Sequence, residues 1–156
     1  MKINGFYIIK DEFFNFIQDP FLKDNKDGNR PFYFCIEEIL DSKKMLWMIP
    51  LSSRVEKYKK IINKRLLENK PLDGLYICKL PNDRESVFLI QDIFPIKKEF
   101  IKREYTLGGN HLLLSKKSDI EIILSKAKRI IRLVTRGIRI TPTSPDIIRI
   151  IKKLFY

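Results

Sequence analysis

The chain has 156 residues, 44% of them hydrophobic and 32% charged, which fits one globular domain over residues 1–156, able to bury roughly 70% of its unfolded surface, and excludes a disordered segment. No apolar run approaches the roughly 20 residues of a membrane span, and Met1–Lys10 lacks the apolar stretch and small-residue cleavage site of a signal peptide. The formal net charge is +12, which favours a polyanionic partner.

In chain order, Ile3–Ile9 predicts a first strand, and Asp11 a cap for a short helix carrying Phe13, Phe14, Phe16 and Ile17. Asp19–Arg30 is a polar loop. Phe32–Leu40 and Met45–Leu51 are β-branched and aromatic runs joined at Asp41–Lys44, a hairpin. In Ser52-Ser53-Arg54-Val55-Glu56, Ser53 as N-cap would put Glu56 third in a helix, forming a capping box. Val55, Tyr58, Ile62 and Leu66 then recur at helical spacing to about Asn69. Gly74–Leu80 and Ser86–Phe94 predict a second hairpin across Pro81–Arg84. Pro95 opens a short helix through Glu104, and His111–Leu114 is a further strand. Asp119–Arg136 is an amphipathic helix with Ile120, Ile123, Leu124, Ala127, Ile131 and Val134 on its apolar face, ended by Gly137. Ser144-Pro145-Asp146 begins a last helix with proline in its first turn. Hairpins interrupted by several helices predict an α+β domain around a small, strongly bent antiparallel sheet. Cys35 and Cys78 sit in apolar runs, as reduced thiols of a cytoplasmic protein would.

The excess charge is concentrated. Residues 1–51 carry a net −1, 52–70 a net +5, 71–114 none, and 115–156 a net +8. A lysine-rich surface without function would spread it evenly. The basic residues of the two helices, Lys57, Lys59, Lys60 and Lys64 with Lys126, Arg129, Arg132 and Arg136, are therefore candidates for phosphate contact. No P-loop, dinucleotide fingerprint, HExxH or paired-cysteine zinc pattern occurs, so no cofactor or metal is expected. Ser52 and Ser53 stand where a strand gives way to a basic helix, and a helix N-terminus offers free N–H groups to a phosphate. Arg54 and Lys57 are beside them. Ser53 as a plain cap is the competing reading. Arg30 and Tyr33 open the central strand. His111 is the one histidine, structural or catalytic.

Asn29-Arg30-Pro31-Phe32-Tyr33, Met48-Ile49-Pro50-Leu51-Ser52-Ser53, Phe88–Pro95 and Arg136-Gly137-Ile138 follow one another in an order that resembles the toxins of type III toxin–antitoxin systems. These are the ToxN/AbiQ/CptN endoribonucleases, and the pattern is most similar to the CptN branch. The resemblance implies a compact antiparallel β-barrel of the SH3-like kind found in MazF and PemK toxins, elaborated with helices. It implies metal-independent RNA cleavage to 2′,3′-cyclic phosphate and 5′-hydroxyl ends, with cellular mRNA as substrate and phage defence as the setting. The inhibiting partner would be an antitoxin RNA of tandem repeats, cut by the toxin into pseudoknots and held in a closed protein–RNA hetero-oligomer. By position it places catalysis on Arg30, Ser52, Ser53 and Lys57, with Arg54 and Lys57 flanking the family's lysine position and either able to fill it, and RNA contact on Tyr33, Arg54 and the helical basic residues. A non-catalytic RNA-binding or assembly module is the alternative, and a DNA-binding regulator a third.

Overall fold

A computed structural model describes residues 1–156. The elements run β1 (Phe6–Ile9), α1 (Asp11–Ile17), β2 (Phe32–Leu40), β3 (Lys43–Ser52), α2 (Val55–Leu67), β4 (Tyr76–Lys79), β5 (Glu85–Phe88), β6 (Phe94–Ile96), β7 (Ile101–Glu104), β8 (Thr106–Leu107), β9 (Asn110–His111), α3 (Lys117–Val134) and α4 (Ile147–Phe155). Single 3-10 turns occupy Ile90–Asp92 and Lys98–Phe100. No helix is long and apolar enough to cross a membrane.

The main sheet follows the order β4-β5-β3-β2-β1-β7, with β6 also on β3, and every pairing is antiparallel. β3 changes partner along its length. Leu46–Met48 pair with β6, while Leu51 and Ser52 pair with Phe88 and Val87 of β5. A shift of register between Phe34 and Ile36 puts an extra residue into β2 opposite that handover, and such a bulge sharpens the local twist. The end strands of the sheet, β4 and β7, do not pair with each other. What is present is an α+β fold, an antiparallel sheet with four α-helices, in which no closure into a barrel is detected.

One large core of 33 buried residues lies between the sheet and α1, α3 and α4. Trp47, Phe13, Phe32 and Phe94 are fully buried in it, with Phe13 stacked on Phe94 at 5.5 Å between ring centroids. Burial of each such side chain stabilises the fold by roughly 1.5–3 kcal/mol. α3 delivers Ile123, Ala127, Ile130, Ile131 and Val134 to this core, the three- and four-residue spacing visible in the sequence. A second cluster of Tyr58, Leu75, Val87 and Leu89 fixes α2 against β5. That small cluster matters for function, because it sets the first turn of α2 beside the end of β3.

Several expectations change. β1 begins at Phe6, since Asn4 takes a positive φ of 67° that turns the chain. Ser86–Phe94 is divided into β5, a 3-10 turn and β6. The helix expected from Pro95 to Glu104 is absent: Pro95 lies in β6 opposite Trp47, and Ile101–Glu104 pairs with β1. A proline fits a three-residue edge strand because its missing N–H can face away from the ladder. His111 belongs to a two-residue strand paired with Thr106. α4 is capped by Asp146, which accepts from the Arg149 N–H at 3.2 Å. Ser144 instead donates to the Gln91 carbonyl at 3.1 Å.

Candidate active site

Arg30 is placed by the loop before it. Asn25, buried, donates to the Ile9 carbonyl at 2.9 Å and to Asp11 at 2.6 Å. The Asn25 carbonyl in turn accepts from the Arg30 N–H at 2.9 Å. The loop is thereby wound around Asn25 and delivers Arg30 to the start of β2. Its side chain, 9% exposed, donates from Nη1 to the Leu51 carbonyl at 3.1 Å. Its Nε is buried without a hydrogen-bond partner, and such an orphan donor is costly unless something outside the fold satisfies it.

The Leu51 carbonyl is one residue from the serine pair. Ser52 is 8% exposed, still in β3, and its Oγ accepts from the Arg54 N–H at 3.2 Å. The Val55 N–H donates to the Ser53 carbonyl at 2.9 Å, and α2 begins at Val55. Its N-cap residue is Arg54, with no side-chain cap. The expected capping box is therefore not formed. Pairing of Ser52 with Val87 holds the chain in β3 one residue too long for Ser53 to reach the cap position, and Glu56 turns to Lys59 at 3.7 Å. Ser53 is left exposed, next to a helix end whose first N–H groups lack intrahelical acceptors. Lys57 is exposed and lies over the ring of Tyr58 at 5.3 Å, which keeps its ammonium on this side of the helix.

Two further groups were not legible beforehand. Asp92, 3% exposed, closes the 3-10 turn after β5. Burial pushes its carboxyl up to about 6, against the pull of Lys23 and Arg30. Tyr58, counted as an apolar face in the sequence, is raised by burial and by Asp92 while Arg30 and Arg54 lower it. Arg30 itself is held below its ordinary value by burial, with Asp24, Tyr58 and Asp92 opposing that and Arg54 adding to it. Arg30, Arg54, Tyr58, Asp24 and Asp92 thus act on one another electrostatically. The one trace of Asp92 in the sequence is a carboxylate inside the apolar run Phe88–Phe94.

The remaining candidates separate. Lys60, Lys64, Arg132 and Arg136 project into solvent. Lys59 is tied to Glu85 at 3.4 Å and to Glu56. Lys126 donates to the Leu72 carbonyl at 2.8 Å, and Arg129 pairs with Asp73, so both fasten the segment after α2. Tyr33 does not face RNA: it is 1% exposed, packed on Phe6 and Phe88, with its hydroxyl on Asn4 at 2.7 Å. Its place opposite Ile49 in the β2–β3 ladder turns it into the core. His111 is a packing residue, its Nε2 at 3.0 Å from the Phe6 carbonyl and its ring against Tyr7. Both cysteines are free thiols, and burial pushes each up to about 12.

No protein-family model and no curated protein sequence matches this chain. Among solved structures, the chain is similar to that of AbiQ, described as a lactococcal anti-phage endoribonuclease belonging to the type III toxin–antitoxin system. The TM-score is 0.72 at 14% sequence identity, over 97% of this chain and 96% of that one. At that identity the likeness establishes a shared fold across nearly the whole of both chains.

Proposed function

We propose that this chain is the endoribonuclease toxin of a type III toxin–antitoxin system, acting without metal on single-stranded mRNA and restrained by an antitoxin RNA. The observation that carries the reading is the junction of β3 and α2, where Arg30 reaches the Leu51 carbonyl and Ser52, Ser53, Arg54 and Lys57 follow along the chain into a helix N-terminus with no side-chain cap. The likeness of fold to AbiQ supports it, and so does the confinement of excess charge to residues 52–70 and 115–156. The sequence pattern favours the CptN branch.

In this reading the scissile phosphate sits at the N-terminus of α2, held by the exposed Ser53 hydroxyl and the free N–H groups of the first turn. The ribose 2′-OH next to that phosphate is the nucleophile. Asp24, an exposed carboxylate whose charge acts on Arg30, is assigned the 2′-OH proton, since buried Asp92 is out of a ribose's reach. A new P–O2′ bond forms and the P–O5′ bond breaks. Negative charge on the phosphorane is met by the Arg30 guanidinium. The 5′ oxygen takes a proton from the cationic side, where Arg54 and Lys57 stand. The products carry a 2′,3′-cyclic phosphate and a 5′-hydroxyl. Asp92 positions Arg30 from below. The antitoxin partner would be repeats of a pseudoknot RNA, processed by the same site and retained in a closed hetero-oligomer.

The test is cleavage of single-stranded RNA and of the matching DNA in excess EDTA, with the product ends identified by mass spectrometry. RNA cut to cyclic phosphate ends with DNA intact is the expected result. Cleavage that stops in EDTA and returns with magnesium, or products with 5′-phosphates, would overturn the mechanism. RNA bound but uncut under all conditions would favour a non-catalytic RNA-binding module.

A further inference from the structure

Away from the β3–α2 junction, a cleft of about 700 Å³ opens between the C-terminal half of α2, the C-terminal end of α3 and residues 138–142. That volume lies in the range that accepts a small organic group. Its walls are aliphatic, with Ile61 from α2, Ile130 and Leu133 from α3, and Ile138 beyond it. Ile138 is 48% exposed, an apolar side chain turned outward where the surrounding surface is basic. The far wall is held rigid by α3 itself, because Lys126 and Arg129 fasten Leu72 and Asp73.

The charges on the rim are unevenly committed. Of its two carboxylates, Glu68 is paired with Lys70 at 2.8 Å and Asp73 with Arg129. Lys64 and Arg65 have no acidic partner, and Arg139, with a long contact of 3.9 Å to Asp146, lies 6.0 Å from the Phe21 ring centroid. The cleft therefore presents apolar walls inside a rim of available cations, a pattern complementary to a nucleotide. A base offers flat faces of low polarity, and its flanking phosphates are anionic. Arginine guanidinium planes also stack on bases.

We infer that this cleft holds one unpaired nucleotide of a bound single-stranded RNA, its base against Ile130, Leu133 and Ile138 and its phosphates on Lys64, Arg65 and Arg139. The inference rests on the RNA reading above and adds a subsite to it. Lys64 lies nine residues beyond Val55 on α2, about 14 Å at the helical rise. An RNA strand entering the junction at Ser53 thus reaches the cleft a few nucleotides away, along the exposed Lys57–Lys60–Lys64 stripe. The cleft would favour RNAs with an unstacked base at that distance from the cut.

The probe is a fully 2′-O-methylated single-stranded RNA carrying 4-thiouridine, which lacks the nucleophile and cannot be cut. Near-ultraviolet crosslinks should map to the stretch 130–142. Ile138→Glu, on an exposed side chain, should leave the circular dichroism spectrum unchanged, remove those crosslinks and weaken binding about tenfold or more. Arg139→Ala should do the same in smaller degree. Crosslinks elsewhere only, or affinity in both variants equal to wild type, would overturn the inference. Polyglutamate displacing the RNA as well as an equally charged RNA does would reduce the cleft to a bare polyanion site and overturn the role of the base. Crosslinking at the cleft by a protein that cuts no unmodified RNA keeps this inference and removes the endoribonuclease reading. Normal cleavage with normal affinity in Ile138→Glu does the reverse.

Discussion

Ser53 and Asp92 differ in how their environment can be tested. The Ser53 hydroxyl is exposed and caps nothing, so Ser53→Ala should change unfolding free energy by no more than about 0.5 kcal/mol. It should abolish RNA cleavage with affinity kept. Ser52→Ala should cost about 1 kcal/mol in chemical denaturation, because its Oγ holds the Arg54 N–H. A Ser53→Ala protein that cuts at the wild-type rate would remove the hydroxyl from the mechanism. For Asp92, the folded protein favours the neutral acid, since burial pushes its carboxyl up to about 6 from 3.8. The stabilisation this gives is fully present below pH 4 and lost as pH rises through 6. Asp92→Asn should therefore match wild type near pH 4 and exceed it by roughly 2–3 kcal/mol above pH 7. Equal stability of the two proteins across that window would contradict the buried, ionisable Asp92. The serine pair at a strand-to-helix junction was visible from residue type and short spacing, whereas Arg30 and Lys57 were singled out for catalysis only by the family resemblance. Asp92 and Tyr58 were not legible, because their character comes from burial against groups tens of residues away. Ser53 was misread as a cap because no local signal reports that β3 runs on through Ser52.

Among the elements, α3 was the most legible, since an 18-residue amphipathic helix states its own period. The stretch from Ile93 to Glu104 was the least. Its short strands exist through pairing with β3 and β1, and a proline followed by charged residues carries no trace of those partners. The charge pattern also named a helix without saying which of its cations are free. Lys126 and Arg129 make internal contacts, whereas Arg132 and Arg136 are exposed and unpaired. Replacing Arg132 and Arg136 with Gln should lower the slope of log affinity against log salt by about 1.4, at roughly 0.7 per phosphate on single strands. Their stability should stay near wild type. Lys126→Met should act the other way, costing about 1 kcal/mol through the lost bond to Leu72 with little direct change in slope. Fluorescence anisotropy across a salt series and urea denaturation separate the two, and equal slopes in wild type and the Arg132/Arg136 double variant would refute phosphate contact by α3.

For the molecule as a whole, a net charge of +12 on 156 residues sets two effects of salt against each other. Without RNA, like charges crowded on α2 and α3 repel one another in the folded state, and screening relieves that repulsion. The melting temperature of the free protein should therefore rise as sodium chloride increases from 50 to about 200 mM, a range over which the Debye length shrinks through about 10 Å. A bound RNA reverses the sign. Ligand present at 100 times its Kd stabilises the folded state by about 2.7 kcal/mol, and that gain shrinks as salt weakens phosphate binding. With a 2′-O-methylated RNA held at constant concentration, the melting temperature should start higher and fall with salt, until it meets the rising curve of the free protein. The crossing marks a surface that binds RNA through its phosphates. A surface that binds no RNA would give two nearly coincident rising curves. Because the uncut RNA analogue is used, the result depends on binding alone and holds whether or not the junction at Ser53 performs the cleavage proposed for it.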